Sequence, residues 1–287
     1  MISYPLGAGG VVTRVLESGA GPDAAVLLHG IGARADRFVR NVGALAPQLG
    51  RVLALDFPGH GFASKDDRTP ATVPRLAEFV VAALDAADVP RATLIGTSLG
   101  GHVSATIACN APQRVDKLVL VGTLGISPLA PERCERMRSN VRDTSREGIR
   151  KKLSSVLHDE SLVTDEWVDE EYRANNSPGA AAALGRLADY LADDLNGDLV
   201  GEALADRDDR PETLLIWGAN DRSVPLEDAY AAQALLGAPL AIIEDAAHVP
   251  YFEHAETFNE LVATFVSGES LDDLRLPGLS LRSSPQA

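Results

Sequence analysis

Leu94-Ile95-Gly96-Thr97-Ser98-Leu99-Gly100-Gly101 ends a short apolar run and leads into Val103-Ser104-Ala105-Thr106-Ile107-Ala108, whose composition suits a helix. Ser98 therefore stands on a sharp strand-to-helix turn. Such a turn holds the serine backbone under strain, and the positions two residues to either side must lack side chains for the chain to pass. Gly96 and Gly100 meet that requirement. The turn lifts the Ser98 hydroxyl above a sheet edge and aims the first N–H groups of the following helix at any oxyanion formed there.

Outward from this turn, short β-branched runs alternate with amphipathic stretches, the pattern of crossover units in a mostly parallel sheet. Strands are expected at Val11 to Leu16, Ala25 to Leu28, Arg51 to Leu55, Ala92 to Ile95, Lys117 to Val121, Thr213 to Trp217 and Leu240 to Ile243. Runs such as Val26-Leu27-Leu28 and Leu118-Val119-Leu120-Val121 are continuously apolar, as strands covered on both faces should be. Leu76, Phe79, Val80, Ala83, Leu84 and Ala87 instead follow helical spacing behind Thr72, a suitable N-cap. Phe258, Leu261, Val262, Phe265 and Val266 repeat that spacing near the end.

The alternation breaks once. From about Gly125 to Arg210 there is no convincing strand, so a helical cap over about 126 to 205 is expected, inserted into a core made of 1–125 and 206–267. Residues 268–287, with Pro277, Gly278, Ser280, Ser283, Ser284 and Pro285, are expected to be a flexible tail. The expected fold is thus α/β, an eight-stranded, mostly parallel sheet with helices on both faces. The first half of the inserted segment is basic: Arg133, Arg136, Arg138, Arg142, Arg146, Arg150, Lys151 and Lys152 face only Glu135, Asp143 and Glu147. These are either solvated helix faces with i, i+4 pairing or a positive wall that draws in an anionic substrate.

A chain of 287 residues with 45% hydrophobic and 23% charged residues has ample apolar material for a core. Its formal net charge of −15 repels nucleic acid and anionic membrane surfaces. No apolar run approaches membrane-spanning length, and Met1 to Gly10 does not read as a secretory leader. Cys109 and Cys134 are too few for a disulfide framework and sit in no metal-spaced cluster. A cytoplasmic protein acting on a small molecule is expected, without metal or organic cofactor and without nucleic-acid or membrane partners. A homodimer is compatible with the sequence.

A serine hydroxyl needs a base and a group to orient that base. Among six histidines, His29, His60, His102 and His158 fall at a strand end, a loop, the serine turn and the insertion, and His254 at a helix start. His248 is the best base, because Asp245-Ala246-Ala247-His248-Val249-Pro250 links the last expected strand to the last helix. Asp221 in Trp217-Gly218-Ala219-Asn220-Asp221 follows the preceding strand and shares its sheet edge. Asp56 is expected to fix its Pro-Gly loop, and Trp217 to pack beneath the acid loop.

In this chain order, serine then aspartate then histidine, with His29-Gly30 and Asp56-Phe57-Pro58-Gly59-His60-Gly61, the sequence resembles the α/β-hydrolase superfamily over about residues 10 to 267. That resemblance implies an oxyanion hole from the backbone N–H groups of Ile31 and Leu99. The segment His158 to Glu166, continuing to Tyr172-Arg173 and Ser177-Pro178-Gly179, is similar to the meta-cleavage-product hydrolases, which split carbon–carbon bonds in ring-opened aromatics. Those enzymes usually carry asparagine before the serine and tryptophan after the histidine, where this chain has Thr97 and Val249, and their His-Gly loop differs from Gly32-Ala33-Arg34-Ala35. Arg173 either binds a substrate carboxylate or forms a surface ion pair, and Val249 contacts substrate. By these departures a small carboxylic ester is the first expected substrate, a 2-hydroxy-6-oxo-dienoate the second and a lactone the third. A small-ligand receptor with slow hydrolysis is the expectation from another class.

Overall fold

The computed structural model describes residues 1–283, and one nine-stranded sheet organises them. In chain order the strands are β1 (Ile2–Ala8), β2 (Val11–Ser18), β3 (Ala24–Leu28), β4 (Arg51–Leu55), β5 (Ala92–Thr97), β6 (Val115–Val121), β7 (Glu212–Gly218), β8 (Leu240–Ile243) and β9 (Leu279–Arg282). The spatial order is β1-β2-β4-β3-β5-β6-β7-β8-β9. The six strands from β4 to β8 run parallel, while β1, β2 and β9 pair antiparallel at the two edges.

The helices are α1 (Val42–Leu49), α2 (Val73–Ala86), α3 (Leu99–Asn110), α4 (Pro131–Arg142), α5 (Arg146–Val156), α6 (Asp165–Asn175), α7 (Ala180–Asp193), α8 (Gly201–Ala205), α9 (Leu226–Leu236), α10 (Pro250–Glu253) and α11 (Ala255–Ser267). The two-residue strand period sorts the core into two layers. Val26, Leu28, Leu94 and Leu120 face α2 and α3, whereas Ala25, Leu27, Ile95 and Val119 face α1 and α11. Thr72 caps α2 by accepting a hydrogen bond from the Arg75 N–H. Helices α4 to α8 all lie between β6 and β7 in the chain.

The sheet has nine strands where eight were expected, because two edge strands, β1 and β9, join the seven placed from the sequence. β1 contains Pro5 and Gly7 and exposes most of its length, so its apolar alternation is weak, and proline is tolerated there because the strand lies at an edge. β9 lies in the segment expected to be a flexible tail. Instead Leu279 and Leu281 turn toward the core, Glu244 donates its N–H to Gly278 O at 2.7 Å, and Gln233 Nε2 donates to the carbonyls of Arg282 and Ser283. The rest of that tail expectation, residues 284–287, lies outside the described residues.

Candidate active site

Ser98 ends the turn between β5 and α3 with φ 54° and ψ −116°, a left-handed backbone rare for any residue with a side chain. The close approach is visible at its neighbours. A Cβ on Gly96 would lie 2.2 Å from Gly100 O, and one on Gly100 would lie 2.1 Å from Leu28 O. Neither position admits another residue without moving backbone.

His248 and Asp221 come from the loops after β8 and β7, which adjacency in the sheet brings side by side. His248 Nδ1 lies 2.8 Å from Asp221 Oδ2. The other carboxylate oxygen accepts the N–H groups of Ser223 and Val224 at 2.8 and 2.9 Å, so the Asp221 side chain is fixed by three donors. Burial opposes the charged imidazolium of His248, and the charge and hydrogen bond of Asp221 outweigh it, so the His248 pKa is raised. Trp217 donates its indole N–H to Val224 O at 2.8 Å, bracing the acid loop from below. The His248 loop is held in turn: its own N–H donates to Val156 O, and Glu253 accepts from Ala247 N on one oxygen and from His158 N and Asp159 N on the other.

Ser98 and His248 open into one cavity of about 410 Å³, a size suited to a small organic ligand. No hydrogen bond joins the two side chains among the described residues, and such bonds often tighten only when substrate is bound. Ile31 lines the same cavity, packed against Val141, Leu184 and Ala188. Leu99 is the first residue of α3, so its N–H has no partner within the helix. Helices α4, α5 and α7 supply the facing wall, including Met137, Ile149, Leu153 and Leu184.

Two of the other histidines, His29 and His102, are held by hydrogen bonds away from the Ser98 cavity. His29 is fully buried; its Nδ1 donates to Gly30 O and its Nε2 accepts the Phe57 N–H, a neutral tautomer whose pKa burial lowers to about 4. It thereby pins the Gly30-Ile31 turn. Asp56 accepts N–H groups from Ala35 and Phe62 and pairs with Arg14, so it anchors loops and does not reach the cavity. His102 lies under Gly125 with Nε2 on Asp198 O.

Of the two expected substrate contacts, Val249 lines the Ser98 cavity and Arg173 does not. Arg173 is exposed on α6 and borders a separate outer cavity of about 890 Å³, because the helical turn that brings Glu171 and Asn175 inward points Arg173 away. The cavity is nevertheless basic: Arg37, Arg133, Arg136, Lys151, Lys152 and Arg222 border it, against Glu171 as the single carboxylate. The basic half of the insertion thus splits. Arg138, Arg142, Arg146 and Arg150 pair with Asp193, Asp189, Asp169 and Asp165 on other helices, and the other four face the cavity. Arg37 and Tyr251 were not singled out from sequence; the signal for Arg37 was its three-residue spacing from Arg34, which puts both on one side of a single turn. Among the described residues no group of three His, Cys, Asp or Glu side chains is placed to hold a metal, and no helix is long and apolar enough to cross a membrane.

The family model for the α/β-hydrolase fold matches residues 24–255. A 2-hydroxy-6-oxononadienedioate/2-hydroxy-6-oxononatrienedioate hydrolase of Escherichia coli O139:H28 is 32% identical over 261 residues, covering 88% of this chain and 89% of that protein. A hydrolase of the same description from Pseudomonas putida is 31% identical, covering 88% and 90%. Among solved structures, the meta-cleavage product hydrolase of Pseudomonas fluorescens IP01 superposes with a TM-score of 0.81 at 26% identity, over 92% of this chain and 97% of that one. Sheet order, serine turn and sequence agree, and the chain belongs to the α/β-hydrolase family.

Proposed function

We propose that the protein is a serine hydrolase that splits a carbon–carbon bond in a ring-opened 2-hydroxy-6-oxo-dienoate. The observation that carries this reading is the ring of six cationic side chains around the Ser98 cavity in a chain of net charge −15. A small neutral ester has no use for such a field, whereas a dienoate or dienedioate is attracted by it. The similarity to the dienedioate hydrolases supports the same choice, so the carbon–carbon reading moves ahead of the ester that the sequence ranked first.

In this mechanism the substrate first ketonises, moving the enol proton from the 2-oxygen to C5. Ser98 Oγ then attacks the C6 carbonyl while His248 takes its proton, and Asp221 holds the imidazole tautomer and stabilises the imidazolium. The N–H groups of Ile31 and Leu99 receive the oxyanion, an interaction worth about 3 to 4 kcal/mol per donor in comparable sites. Collapse breaks the C5–C6 bond. Its electron pair passes through the C3–C4 double bond onto the 2-oxygen, which takes up a proton, and the C6 acyl group stays on Ser98. Water, activated by His248, then releases the acid and restores the serine. The helices between β6 and β7 act as the cap that closes this cavity.

The test compares kcat/KM on 2-hydroxy-6-oxo-6-phenylhexa-2,4-dienoate with that on p-nitrophenyl acetate. The reading expects the dienoate to be preferred by about a thousandfold, some 4 kcal/mol of transition-state discrimination. Preference for the ester, or stoichiometric labelling by a fluorophosphonate without turnover of either, overturns it.

A further inference from the structure

Most cations around the Ser98 cavity are engaged by the protein or reach into solvent. Arg133 pairs with Asp228, Arg222 donates to Ser154 O and Leu157 O, Lys152 donates to Asp143 O, and Arg136 and Lys151 are exposed. Arg37 differs. It sits on the 3-10 turn Ala35–Phe38 with its side chain 9% exposed and its guanidinium stacked 4.3 Å over the Trp167 ring. Its one ion pair is Nη2 to Glu171 Oε1 at 3.0 Å, and Arg34 Nη1 lies 3.2 Å from that same oxygen. Arg37 Nη1 is shut off from water and makes no hydrogen bond among the described residues.

A buried charged donor left without an acceptor is destabilising, so this one has a free energy reserve for a ligand to recover. A second unused group belongs to a residue lining the same cavity. Thr97 Oγ1, one residue before Ser98, is also buried without a partner. Thr97, Arg37 and Tyr251 line the same cavity as Ser98 and His248. A guanidinium edge and a hydroxyl are the donors a carboxylate accepts best.

We infer that Arg37 and the Thr97 hydroxyl form the subsite for the substrate's carboxylate, and that Glu171 is an internal carboxylate competing for Arg37 and setting how tightly that subsite holds an anion. This inference rests on the proposed function and assigns the specificity that the sequence had placed on Arg173. Glu171 therefore weakens substrate binding while it stabilises the empty cavity, and its removal and that of Arg37 act in opposite directions.

The experiment measures kcat and KM for the phenylhexadienoate and for p-nitrophenyl acetate in the wild type, Arg37→Gln, Glu171→Gln and the double variant. Arg37→Gln is expected to lower the dienoate-to-ester ratio of kcat/KM at least 30-fold, chiefly through KM, and Glu171→Gln to lower KM for the dienoate severalfold. If Arg37→Gln alone does not fold, the double variant, which leaves no unpaired charge, carries the same expectation of a lowered ratio. A folded Arg37 variant with an unchanged ratio, or two single variants that lower it alike, overturns the inference. Should the wild type cleave no dienoate, the function proposal fails separately. The subsite is then read from competitive inhibition of ester turnover by benzoate, whose Ki must rise at least 30-fold on losing Arg37; an unchanged Ki overturns it.

Discussion

At Ser98 the backbone conformation and the proposed chemistry pull against each other. A side chain at φ 54° is strained by about 1 to 3 kcal/mol, and glycine relieves that strain at an entropic cost of about 0.5 to 1 kcal/mol. Ser98→Ala and Ser98→Gly should therefore both lower kcat by about four orders of magnitude or more, with the glycine variant more stable to urea than the alanine variant by roughly 1 kcal/mol. Equal stabilities would mean the turn is not strained. For His248, the raised pKa places the acidic limb of kcat/KM above the ordinary histidine value of about 6.5, since the base must be neutral. Asp221→Asn leaves burial acting alone, so the limb should move below about 6.5 while kcat falls about 10⁴-fold. The linkage has the matching sign: the imidazolium pair stabilises the fold fully below about pH 6.5, and that contribution is lost as pH rises through the raised folded pKa. Ser98, His248 and Asp221 were legible because each occupies a strand end whose neighbours, Gly96, Ala247 and Gly218, carry a recognisable turn. Arg37 was not: its spacing from Arg34 marks a shared face of the turn, but a charged residue there usually faces water, and only tertiary packing brings Glu171 and Trp167 of α6 over it.

Among the elements, the loop before α10 depends on one side chain for its shape. Glu253 accepts three backbone N–H groups, joining the His248 loop to the His158-Asp159 turn after α5. Hydrogen bonds to an ionised acceptor are worth about 1.5 to 3 kcal/mol before exposure reduces them. Glu253→Ala should thus destabilise the protein by roughly 1 to 2 kcal/mol and speed amide exchange at Ala247, His158 and Asp159 in particular, as read by hydrogen-exchange mass spectrometry. Uniform acceleration across α11 would contradict this local role. The central strands were readable because burial on both faces writes continuous apolar runs such as β3, in which all five residues are buried. Edge strands carry a weaker signal: β9 half-buries only alternate residues within a stretch rich in serine and proline.

For the whole molecule, net charge described the outer surface and concealed the cavity. Composition averages over −15 charges, and only the packing of α4 and α5 decides that Arg133, Arg136, Lys151 and Lys152 border the cavity while four neighbouring arginines pair with carboxylates on α6 and α7. The last segment also completes the molecule: Leu271, Leu274, Leu279 and Leu281 pack against the core layer under α11. A chain ended after Gly268 should lose roughly 3 kcal/mol from these half-buried leucines and associate through the uncovered β8, measured by urea unfolding and size-exclusion chromatography. A truncated chain that stays monomeric with wild-type stability would refute that.

The position of β9 also matters during synthesis. It is the last described strand to leave the ribosome, yet it covers β8, whose 240–243 segment emerges much earlier. Between those two moments a nascent chain carries a nearly finished sheet with one bare apolar edge, the kind of surface that neighbouring nascent chains or holdase chaperones bind.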